Sequence, residues 1–106
     1  MPKYLIHGSY TADGAKGLLK EGGTKRRAVV KAFTEKLGGK LEAFYFAFGS
    51  SDFYATVDLP DATAAAAVSL TVGASGAASC HTTVLLTPEE IDAATKKSVD
   101  YRAPGA

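Results

Sequence analysis

Polar and apolar residues alternate at the start of the chain. Tyr4, Ile6, Gly8 and Tyr10 point one way and Leu5, His7 and Ser9 the other, which predicts a strand over residues 3–10. Thr11 is placed to cap a short helix over 12–20, weakened by Gly14 and Gly17 and broken by Gly22-Gly23. The period then changes to that of a longer helix. Thr24 stands as its cap, Val29, Val30, Phe33 and Leu37 share one face, and Gly38-Gly39 ends it near residue 37. Two strands follow at 40–48 and 52–58, joined by Gly49-Ser50-Ser51, a length and composition suited to a hairpin. Asp61 caps an alanine-rich helix to about residue 72, closed by Gly73 and Gly76. A fourth strand is predicted near 79–86. "TPEE" then opens a helix over 88–98, with Thr87 as cap and two carboxylates at the positive end of the dipole, leaving a tail at 99–106.

This order, strand–helix–strand twice and then a helix, predicts an α+β fold: a ferredoxin-like βαββαβ arrangement with one four-stranded antiparallel sheet. Both long helices then cover one face and leave the other bare. The hairpin "LEAFYFAFGSSDFYATVDLPD" gives that bare face its importance. Strict alternation puts Phe44, Phe46 and Phe48 on one side and Leu41, Ala43, Tyr45 and Ala47 on the other. Phe53, Ala55 and Val57 likewise oppose Tyr54, Thr56 and Asp58. A hairpin apolar on both faces predicts that a second copy covers the bare one, sheet against sheet, since covering each such side chain is worth about 1.5–3 kcal/mol.

Composition narrows the class. At 106 residues, 46% hydrophobic and 22% charged, the chain suits one folded domain spanning 1–106. A net charge of +1 selects neither nucleic acid nor a membrane surface as partner. The single cysteine, Cys80, excludes a disulfide within the chain. "MPKYLIHGSY" lacks the apolar run of a secretion signal, so a cytoplasmic location is expected.

"KYLIHGSYTADGAKGLLKEGG", "LGGKLEAFYFAFGSSDFYATVDLPDATAAAA" and "LLTPEEIDAATKKSVDYRAPGA" together resemble the GYD domain family across essentially the whole chain. The resemblance implies a ferredoxin-like domain assembled as a dimeric α/β-barrel. At the family's Gly-x-Tyr-Asp-like signature Gly49 and Asp52 match, and Ser51 stands where tyrosine is expected. The wider relatives include cofactor-free monooxygenases, small isomerases, haem enzymes and ligand-sensing modules, so the resemblance carries no single reaction.

Candidate chemistry falls into four groups. His7 and His81 sit on strands expected to be neighbours and read as a general base with a proton relay, or as hydrogen-bonded sheet histidines. No metal is expected, because Cys80 points away from His81 and the ligand set is too small. Tyr10, Tyr45 and Tyr54 read as the lining of an aromatic pocket or as packing, and Asp52 as a polar group at its mouth or a turn residue. Lys25, Arg26 and Arg27, near the positive end of a helix, read as an anion or subunit contact, or as a solvated face. No P-loop, Rossmann fingerprint or nucleophile triad is present, and no cofactor is expected. Two functions compete: a small-molecule-binding protein, performing a cofactor-free proton transfer or oxidation if it is an enzyme, and a non-catalytic assembly or regulatory module.

Overall fold

The computed structural model describes residues 1–106. Its elements are β1 (Lys3–Gly8), α1 (Ala12–Glu21), α2 (Gly23–Lys36), β2 (Lys40–Phe46), β3 (Phe53–Asp58), α3 (Ala62–Ala74), β4 (His81–Leu85) and α4 (Pro88–Thr95). The strands form one sheet in the order β2-β3-β1-β4, with every neighbouring pair antiparallel. No helix is long and apolar enough to cross a membrane.

Local chemistry sets most boundaries. Thr11 Oγ1 accepts from the Gly14 amide and Asp61 Oδ1 from that of Ala64, each satisfying an otherwise orphaned helical N–H. At α4 the caps are reciprocal: Thr87 Oγ1 accepts from Glu90 N, and Glu90 Oε1 accepts from Thr87 N. Thr24 is no cap. Gly22, with φ of 82°, makes the whole break between α1 and α2, so Gly23 already belongs to α2 and Thr24 lies inside it. Gly73 lies inside α3, and Gly76, at φ 75°, makes the turn beyond it.

The core is one-sided. Tyr4, Ile6, Ala55, Val57 and Leu59 from the sheet side meet Ala65 and Val68 of α3, and Phe33, Leu41, Phe44 and Val72 pack around them. Thr34 is buried within α2, where its hydroxyl donates to the Val30 carbonyl. A hydrogen bond of 2.6 Å between the Ser69 and Thr82 hydroxyls fastens α3 to β4.

The hairpin departs from strict alternation. Leu41 pairs with Val57 and Ala43 with Thr56, so Glu42 is an extra residue bulged out of β2. The bulge shifts the phase by one residue, and Leu41 joins Phe44 and Phe46 on the helix side instead of Ala43 and Tyr45 on the bare side. The bare face is therefore not apolar. Leu5, Ala43 and Leu85 share it with Lys3, His7, Tyr45, Tyr54, Thr56, Asp58, His81 and Thr83. Lys3 Nζ lies 2.6 Å from Glu42 and 2.9 Å from Asp58 on this face. Those carboxylates hold the ammonium above its usual range, and Lys3 holds Glu42 below the usual carboxylate range. Phe48 lies beyond β2 at φ 59°, mostly exposed, with its ring stacked on Phe46.

Beyond β4 the chain leaves the body. Every residue of α4 and of the tail is exposed, including Ile91, Val99 and Tyr101. The molecule measures 56 × 33 × 22 Å as a result.

Candidate functional site

The sheet divides the sequence-predicted residues into two groups. On the helix side, Tyr10 continues the direction of Ile6, held by a bridge to Ala78 and by donation from its amide to Asp52 Oδ2 at 2.8 Å. Asp52 also joins the hairpin through its backbone, donating to Gly8 O and accepting from Ala47 N. It is thus a fastener between β1 and the hairpin, with its carboxylate engaged by the protein itself.

Of the three cations at the start of α2, only Arg26 turns inward. Position 26 is four residues before Val30 and seven before Phe33, on the face that meets the sheet, whereas Lys25 and Arg27 are exposed. Arg26 lines an apolar cavity of about 40 Å³ between α2, α3 and the sheet, together with Tyr10, Cys80, Phe33, Phe53 and Val72. Tyr10, Arg26, Phe33 and Val72 also wall an open cleft of about 390 Å³, whose other side is Asp13, Gly14, Gly17, Leu18 and Glu21 of α1. Cavity and cleft thus share a partition that carries one cation and one phenol.

Electrostatics at that partition follow from burial. Desolvation pushes the Tyr10 phenol and the Cys80 thiol above their ordinary values, and the nearby Arg26 charge offsets a fraction of each shift. Both groups are held neutral at physiological pH, as hydrogen-bonding groups rather than nucleophiles. Cys80 reaches this wall because strand alternation turns it away from His81, and nothing else in the sequence marks it as a cavity residue.

On the bare side, His7 and His81 face each other across the β1–β4 ladder with ring centroids 5.2 Å apart. Tyr54 stacks on the other side of His7 at 5.3 Å. His7 Nδ1 lies 2.9 Å from Ser51 Oγ, and Ser51 is buried in the hairpin turn. That bond fixes the ring and leaves Nε2 as the nitrogen available for proton exchange. Tyr45 pairs with Tyr54 but is 71% exposed. Ser51 as a partner for His7 had no signal in the sequence beyond its place in the turn. No group of three or more metal-ligating side chains converges anywhere in the chain.

A small α+β domain is thereby defined, with a four-stranded antiparallel sheet, helices over one face and a cleft beside them. The GYD domain model matches residues 4–95, and the chain belongs to that family. Neither a curated protein nor a solved structure matches it.

Proposed function

We propose that the protein binds a small organic molecule in the cleft between α1, α2 and α3. The observation that carries this is the shared partition. A concave space within the usual ligand range of about 300–1,000 Å³ is lined by Leu18, Val29, Phe33 and Val72, with Arg26 and the Tyr10 phenol as its convergent polar groups. Protein purified under native conditions and examined by mass spectrometry, first intact and then denatured, is expected to release a small molecule or to take one up from a fragment mixture. Retention of none, and uptake of none, refutes the reading.

The neighbour order β2-β3-β1-β4, with helical crossovers on one face, supports a ferredoxin-like reading of the fold. We place the chain in a homodimer of the dimeric α/β-barrel kind, and area is the supporting argument. The accessible surface is 7271 Å², against about 5,600 Å² for a compact chain of this mass. The excess of roughly 1,700 Å² goes with the projecting α4 and tail, whose exposed Ile91, Val99 and Tyr101 are apolar groups for a second copy to cover. In a sheet-to-sheet dimer the His7–His81–Tyr54 stack lies between subunits. His7, oriented by Ser51, is then the group suited to proton transfer, on a face separate from the cleft.

A further inference from the structure

We infer that the cleft selects an organic monoanion, an aromatic or branched carboxylate whose charged oxygens meet Arg26 and Tyr10. The inference rests on the small-molecule reading above and adds the charge of the ligand. Arg26 is the one charged residue among the 14 that line the inner cavity. The chain's ion pairs are Lys3 with Glu42 and Lys3 with Asp58, so Arg26 has no carboxylate partner. A half-buried guanidinium against apolar walls carries a desolvation penalty that an anion within reach offsets, and its planar fork matches a carboxylate. The Tyr10 phenol, kept protonated by burial, is a donor beside it.

The rest of the cleft limits what the anion's body can be. Leu18, Val29, Phe33 and Val72 offer apolar contact, and Gly17, with nothing within 4 Å of where a Cβ would stand, leaves a gap in the α1 wall that suits a flat or compact group. Asp13 and Glu21 line the same cleft, so a second negative charge on the ligand meets repulsion there. That repulsion acts on any anion and grows with its charge, so a nucleotide or a polyphosphate is disfavoured more than a monocarboxylate, whose single charge sits at Arg26, across the cleft from the α1 carboxylates. The inner cavity of about 40 Å³ holds a few waters at most, so the body of the ligand occupies the outer cleft.

The test uses the full chain, isotopically labelled, with benzoate as the anionic probe and benzamide as its neutral isostere, followed by amide chemical shifts. Benzoate is expected to shift amides around Gly14, Phe33 and Ala77 saturably, with benzamide at least about tenfold weaker. Arg26→Gln is expected to weaken benzoate by at least about tenfold, while Lys25→Gln and Arg27→Gln, which remove the same charge from exposed positions, change it less than about twofold. Equal binding of benzamide and benzoate, or equal losses in all three variants, overturns the anion inference and leaves the cleft reading standing. Absence of cleft shifts with either probe refutes both. Should Arg26→Gln unfold, Arg26→Met, which removes the charge and keeps an apolar stem, decides: loss of the preference for benzoate over benzamide supports the inference, and retention of that preference overturns it.

Discussion

Replacing Gly8 by alanine tests how closely β1 and the segment before β4 are set. A Cβ built on Gly8 falls 1.7 Å from the Ser79 carbonyl oxygen, 2.8 Å from its carbon and 3.0 Å from Phe53 Cζ. The nearest obstacle is backbone, so no rotamer relieves it, and Ser79 must retreat by roughly 1.7 Å or more to reach ordinary contact. That retreat strains the Ser79 N–Ser9 O bond of 2.9 Å and the Tyr10–Ala78 bridge beside it. Two weakened backbone bonds at about 0.5–1.5 kcal/mol each, with an overpacking cost of about 1–3, give a loss of roughly 2–6 kcal/mol. Gly17→Ala is the control. Nothing lies within 4 Å of its Cβ position and its residue is helical, so a gain of up to about 1 kcal/mol is expected. Urea unfolding at one fixed protein concentration reads both, and at a slope of about 1–2 kcal/mol/M the Gly8→Ala midpoint falls by 1 M or more, roughly. A Gly8→Ala midpoint equal to or above that of the parent refutes the packing argument.

Two further outcomes follow from buried polar atoms. Thr56 Oγ1 is buried without a hydrogen bond of good geometry, the Glu42 carboxylate drawing on it only weakly, so Thr56→Val is expected to raise stability by about 1 kcal/mol in the same urea experiment, and a loss of that size contradicts the assignment. Cys80 has its thiol pushed above the ordinary 9.0 by burial, so the folded state favours the protonated form. The associated stability is full below the unfolded value and is lost as pH rises through the folded one. Iodoacetamide labelling of the folded chain is accordingly slower than that of a free thiol at pH 8–9 and still climbing above it; a plateau below pH 9 refutes the shift.

The readable features of this fold are those governed by near neighbours. Thr11, Asp61 and Thr87 announce their helices because a capping oxygen needs only the amide three residues on. Thr24 misleads because one glycine at positive φ is enough to separate α1 from α2, which makes Gly23 helical. The α+β class and the four-stranded antiparallel sheet follow from element order. The polarity of the bare face does not, because a single inserted residue at Glu42 changes which way Leu41 points without altering composition or length. Arg26 is separable from Lys25 and Arg27 by helical spacing alone, four residues from Val30 and seven from Phe33. Its meeting with Tyr10 and Cys80 is a tertiary result, joining three segments that no local pattern connects.

The bulge at Glu42 has a second consequence through the position of β2, which is an outer strand of the sheet. An outer strand offers unpaired amides and carbonyls to any passing chain and so invites open-ended, fibre-like growth. Here the irregular step, with Lys40 and Glu42 exposed on it, spoils the straight register that such growth needs. Strand-to-strand growth along that margin is therefore disfavoured by the backbone itself.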